Sequence, residues 1–115
     1  MLKTALMTGV FMAGLAQAAS AQTEISMWYH GAGNEVESRI INQIVDDFNA
    51  SQSDWKVVLE SFPQLSYNDS VVAAALAGNL PCVLDVDGPN MPNWAWAGYM
   101  QSLPIDEAEF AAFLP

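Results

Sequence analysis

The spacing of apolar residues changes repeatedly along the chain, and each change marks an element. Ile25 to Tyr29 is a short β-prone run that ends at His30-Gly31-Ala32-Gly33, where glycine supplies a turn. After Asn34, apolar side chains recur at Val36, Ile40, Ile41, Ile44, Val45 and Phe48, the spacing of one helix face. Asn34 is a good N-cap, and Glu35 and Glu37 suit the positive end of a helix dipole, so a helix is predicted from here to near Asn49. Asp54 to Phe62, with Trp55, Val57, Val58, Leu59 and Phe62, reads as a second strand that Pro63 breaks. Ser66 or Asn68 can cap a small-residue helix over Val71 to Ala77, which Gly78 closes at the C′ position. Pro81 opens a third strand, Cys82 to Val86, and Pro89 to Trp96 reads as a loop.

Strand, helix, strand, helix, strand with short links implies βαβ units, a parallel sheet and right-handed crossovers, so the predicted class is α/β. Residues 1–21 stand apart from that pattern. Lys3, an apolar run from Ala5 to Ala16 and the terminal Ala19-Ser20-Ala21 read as a signal peptide cleaved after Ala21. The run is shorter than the ~20 residues a membrane-spanning helix needs. No later segment is longer, so no membrane insertion is expected once the signal is removed. The remaining 94 residues (115 − 21) suffice for one small domain. The chain ends in the apolar run "EFAAFLP" with nothing after it to pack against, and a three-stranded parallel sheet exposes its faces and edges. Residues 22–115 are therefore expected to be the front portion of a longer protein.

Charge narrows the partners. Removing Lys3 with the leader leaves Arg39 and Lys56 against 13 carboxylates, a formal charge of 2 − 13 = −11. That opposes nucleic acid, whose binding depends on neutralising phosphates, and it opposes anionic membrane surfaces. Cys82 is the single cysteine and lies in an apolar run, so it is expected to be a buried, inert thiol outside any disulfide.

The order of parts carries a resemblance. The segments "ISMWYHGAGNEVESRIINQIVDDFNASQSDWKVVLES" and "YNDSVVAAALAGNLPCVLDVDGPNMPNWAWAGYMQSLP" contain a W-Y-H-G turn, a D-F-N-A-S-Q helix end, an A-x-A-G-N-x-P lead into strand three and a D-G-P-N…W-A…G-Y-M-Q-S-L-P tail. In that order and spacing they resemble the N-terminal part of the extracellular solute-binding proteins of bacterial ABC transporters, sugar-binding group. Cys82 departs from the pattern, where an aspartate is common after the proline. The resemblance implies a partial N-terminal lobe of a type II periplasmic-binding-protein fold, with a parallel βαβαβ core in strand order 2-1-3. It implies a periplasmic, monomeric binding subunit without catalysis or cofactor, which traps a carbohydrate between two lobes and delivers it to permease subunits.

With that strand order the switch point lies between strands one and three, and ligands of open α/β sheets bind beyond the carboxyl ends of the strands at such a point. The segments meeting there are Trp28-Tyr29-His30-Gly31 and Asp85-Val86-Asp87-Gly88-Pro89-Asn90. A neutral sugar offers many hydroxyls and an apolar C–H face. Asp87 can accept from hydroxyls by charge-assisted bonds, Asn90 can donate and accept, and Tyr29 or Trp94 can stack. Asn34 and Glu35 at the helix start, and His30 in the turn, complete the candidate ligand set.

Blander roles compete at each position. Asp85 and Asp87 also suit turn capping, His30 a backbone-bonded loop residue, and Trp94 and Trp96 core anchors, as do Trp28 and Trp55. "DVDGPN" opens like a calcium loop, yet its glycine comes fourth and its twelfth residue is Trp96, so no calcium site is expected. A second function uses the same carboxylates. Asp85 and Asp87, ~6.6 Å apart on one strand face at ~3.3 Å per residue, would be acid and base of a secreted glycoside hydrolase, whose inverting members space theirs ~6.5 to 9.5 Å apart.

Overall fold

The computed structural model describes residues 22–112. The predicted signal peptide and the last residues of the apolar tail fall outside them. Within the described residues the order is β1 (Thr23–Ala32), α1 (Glu35–Ser51), β2 (Trp55–Pro63), α2 (Gln64–Ala77), β3 (Val83–Leu84), α3 (Met91–Trp96) and α4 (Glu107–Ala111). The three strands form a parallel sheet in order β2-β1-β3, the α/β class and strand order expected. No helix among the described residues is long and apolar enough to cross a membrane.

α1 begins where the sequence says it should. The Asn34 side chain accepts from the backbone N–H groups of Val36 and Glu37 at 3.1 and 3.3 Å, which satisfies two donors the first turn leaves open. Its apolar residues divide between two faces. Val45 is buried and Ile41 half-buried, while Val36, Ile40, Ile44 and Phe48, each four positions apart, form an exposed row. The helix stops at Gln52, whose carboxamide turns onto the next strand: Nε2 donates to the Trp55 carbonyl and Oε1 accepts from the Trp55 N–H at 2.8 Å. Asn49 does the same at Val57, donating to its carbonyl at 2.9 Å and accepting from its N–H at 2.7 Å. Residues two apart in a strand point their backbone groups the same way, so these amides occupy the side of β2 turned away from β1. Trp55, expected in the core, lies half-exposed on this edge strand.

Three boundaries differ from expectation. α2 starts at Gln64, directly after Pro63, rather than at Val71. Pro63 is extended at φ −61° and ends the strand, and the helix follows with no side-chain N-cap, the hydroxyl of Ser66 instead donating to the Pro63 carbonyl at 3.2 Å. Gly78 closes α2 as predicted, at φ 70°, a left-handed conformation that costs glycine little. β3 keeps only Val83 and Leu84 of the expected Cys82 to Val86, because its ladder with β1 covers Met27 and Trp28 alone. Cys82 is consequently exposed ahead of the strand, not buried. The expected loop from Pro89 holds the short helix α3, which accommodates Pro92 in its first turn, where proline removes no helical hydrogen bond.

The chain runs from β1 to β2 and then back past β1 to β3, and with the right-handed crossovers that parallel strands take, α1 and α2 fall on opposite faces of the sheet. The core lies on the α2 face. Tyr67 and Val71 of α2 meet Trp94 of α3, with Trp28, Phe62, Leu84, Val86 and Tyr99 packed around them. Trp28 and Phe62 are tilted against each other with ring centroids 4.6 Å apart, and Tyr67 and Trp94 at 6.4 Å. This cluster fixes where the carboxyl ends of β1 and β3 lie.

Candidate functional site

At the end of β1 the ladder slips. Tyr29 pairs with Ser61 and Ala32 with Pro63, so β1 spends one residue more than β2 across this step, a bulge at His30 and Gly31. The bulge lays the rings of the adjacent Tyr29 and His30 against each other, centroids 5.2 Å apart and planes 27° from parallel. Gly31 makes this possible. A Cβ there would run into the Tyr29 ring and come within 3.2 Å of a Glu37 carboxylate oxygen. α1 is tied to the same turn, since the Ser38 hydroxyl donates to the Gly31 carbonyl at 3.0 Å.

The segment after β3 arrives alongside. The Asp85 N–H donates to the Trp28 carbonyl at 3.0 Å, and the Tyr67 hydroxyl donates to the Asp85 carbonyl at 2.8 Å, with Trp28 O a second acceptor at 3.2 Å. Pinned on both sides, Asp85 points its carboxylate at His30, where Oδ2 contacts Nδ1. Across the ring, His30 Nε2 lies 4.0 Å from Asp87 Oδ1. Asp85 and Asp87 therefore flank one imidazole instead of lining one face of a strand. Tyr67 also packs on that ring at 5.7 Å.

The turn beyond is closed by its own backbone: Asn90 N–H donates to the Asp87 carbonyl at 2.9 Å, with Gly88 and Pro89 at its corners. From α2, Gln64 Nε2 donates to Asp87 Oδ2 at 3.4 Å, and Asn90 Nδ2 donates to Asn68 Oδ1 at 3.4 Å. Asp87 is nonetheless open, with 46% of its side-chain surface exposed beside the half-buried His30.

The electrostatics follow from these neighbours. Burial first, then the charge of Asp85, pushes the Tyr67 phenol up to about 12. The Tyr29 phenol is raised as well, by desolvation and then by the carboxylates of Glu37 and Asp85. Both hydroxyls stay protonated at neutral pH and act as neutral hydrogen-bonding groups.

Of the residues expected from sequence, Tyr29, His30, Asp87 and Asn90 come together at the carboxyl ends of β1 and β3. Asn34 stands at the rim with its oxygen spent on capping α1, and Glu35 is exposed; Glu37, two positions on, is the first-turn acid that faces Tyr29. Trp94 requires a correction. Only 6% of it is exposed, because it fills the core against Tyr67 and Val71, and a ring packed there has no open face for a sugar. Trp96 is 95% exposed.

Sequence reasoning gave Asp85 chiefly a capping role, gave Asn68 only that of a helix cap, and passed over Gln64 and Tyr67. The last three lie on α2, and starting that helix at Val71 hid their common face. A groove of about 730 Å³ runs elsewhere, past Cys82, Leu84, Tyr99 and Gln101, and none of the polar cluster's side chains lines it. Carboxylates, amides, one imidazole and one aromatic plate, arranged as above, suit a neutral ligand rich in hydrogen-bond donors. No group of three or more histidine, cysteine or acidic side chains among the described residues is arranged to hold a metal ion. No family model, no curated protein and no solved structure matches this chain.

Proposed function

We propose that the protein is the periplasmic substrate-binding subunit of an ABC importer, and that residues 22–115 belong to the N-terminal lobe of a type II periplasmic-binding-protein fold. It binds a carbohydrate at the cluster of His30, Asp87 and Asn90 and delivers it to permease subunits. The observation that carries the reading is the meeting of β1 and β3 at the switch point of a 2-1-3 sheet, with His30 and Asp87 side by side beyond their carboxyl ends. The motif order of the sequence, the acidic mature charge and the predicted signal peptide agree with it. A second lobe would close over this edge by a hinge motion and exclude water from the ligand.

The alternative, a secreted glycoside hydrolase working through Asp85 and Asp87, needs both carboxylates open to the scissile bond. Asp85 Oδ2 is shut off from solvent against His30, which favours binding over hydrolysis.

Thermal-shift screening of the full protein against a panel of mono- and oligosaccharides tests the proposal. A ligand at 100 times its Kd stabilises by about 2.7 kcal/mol. Asp87→Ala is expected to abolish the shift while the unliganded protein stays folded. Turnover of a sugar in the same samples would support the hydrolase, and an unchanged affinity in Asp87→Ala would remove that residue from the site.

A further inference from the structure

We infer that Gln64 is a positioning residue of the ligand site: its carboxamide holds the Asp87 carboxylate by Oδ2 and so presents Oδ1 to a ligand in one fixed direction. This rests on the reading of the cluster as a ligand site. Asp87 follows β3 on a turn whose backbone is closed by the Asn90 N–H. Packing covers little more than half of the Asp87 side chain, which is 46% exposed. Among the described residues its one hydrogen bond comes from Gln64 Nε2, at 3.4 Å. Only the amino end of the carboxamide can play this part, because its oxygen and the carboxylate are both acceptors.

The fold places Gln64 for this role. Pro63 ends β2 opposite Ala32, where β1 leaves its bulge, and Gln64 is the first residue of α2, so its backbone is fixed by strand on one side and helix on the other. Tyr67 and Asn68, three and four positions on, share its helix face, and they meet Asp85 and Asn90 in turn. One face of α2 thus grips the acidic segment at three points. Of the three, only Gln64 holds a carboxylate. On the far side of that carboxylate, Oδ1 lies 4.0 Å from His30 Nε2, too far for a direct hydrogen bond, and stays available to a ligand. A long bond open to water adds little stability. What it supplies is order before the ligand arrives, since an acceptor already in place spares the complex the cost of immobilising it.

NMR of the full protein reads the Asp87 rotamer without any sugar, from the Hα–Hβ couplings of the signals lost in Asp87→Ala. One staggered rotamer is expected to dominate in the wild type. Averaging among rotamers is expected in Gln64→Ala and in Gln64→Glu, which keeps the length and loses the donor. Gln64→Lys, whose ammonium donates across the same gap, is expected to restore the single rotamer. Gln64 is exposed, so the melting temperature of each unliganded variant should match the wild type. For the sugar that raises the melting temperature, Gln64→Ala is expected to weaken binding about fivefold, the scale of fixing one side chain. Averaged couplings in the wild type, a single rotamer kept in Gln64→Ala, a failure of Gln64→Lys to restore it, or a sugar that binds Gln64→Ala as tightly as the wild type overturns the inference. Couplings that average in Gln64→Ala and recover in Gln64→Lys support the positioning role even where no sugar binds, and in that case the binding proposal fails alone.

Discussion

The Tyr67 hydroxyl hydrogen-bonds the Asp85 carbonyl at 2.8 Å, so the helix that builds the core also holds the acidic turn in place. Tyr67→Phe removes that bond. The Trp28 carbonyl keeps the Asp85 N–H as a donor, whereas Asp85 O loses its partner. The expected loss is about 1 kcal/mol, the ordinary value of one such bond, measured by denaturant titration.

The same residue sets an alkaline limit. The folded Tyr67 phenol sits near 12, against 10 for the unfolded chain. Between those values the unfolded state has released a proton that the native state keeps, so rising pH favours unfolding. Stability from this group is complete below about pH 10 and is lost on the way to about pH 12. Wild type minus Tyr67→Phe is expected to show that slope; parallel curves would exclude it.

Gly31→Ala tests the bulge. A methyl group there meets the Tyr29 ring, which can swing aside because it is only partly buried. The expected cost is at the low end of overpacking, about 1 kcal/mol. Near-ultraviolet circular dichroism should change as the ring leaves His30, and sugar affinity should fall with it. A variant whose tyrosine signal and affinity match the wild type would contradict the assigned contact.

Two adjacent valines separate the core from the surface of α2. Val71 is fully buried and Val72 is 38% exposed. Val71→Ala is expected to cost about 2 kcal/mol, from lost transfer energy plus the cavity left behind. Val72→Ala should stay within about 0.5 kcal/mol. Equal effects would mean that α2 is rotated from the orientation described.

Asn34→Ala removes the cap of α1 and should cost about 1 kcal/mol by chemical denaturation. A cost near zero would show that water replaces the side-chain oxygen at Val36 and Glu37.

What the sequence made legible was local or topological. The cap at Asn34, the stop at Gly78 and the parallel βαβαβ pattern follow from residue spacing, which a linear pattern carries; the strand order was an expectation from the family resemblance. The start of α2 did not, because Pro63 serves strand and helix at once and no side-chain cap announces Gln64. Nor could spacing tell Trp94 from Trp96; packing against Tyr67 and Val71 makes that distinction, and it lies outside the motif. The His30 and Asp85 contact joins residues far apart in the chain, and it depends on a one-residue bulge that no periodicity reveals. The row of Val36, Ile40, Ile44 and Phe48 shows the same limit, since a regular apolar spacing announces a helix without saying what covers it, and the described residues leave the row exposed.

The carboxamides of Asn49 and Gln52 act on β2 as a counterfeit neighbour. They answer the N–H and C=O of Val57 and Trp55 as an incoming extended peptide would, and so refuse that border to foreign chains. A strand that pairs along this stretch of β2 must first displace both amides from Trp55 and Val57.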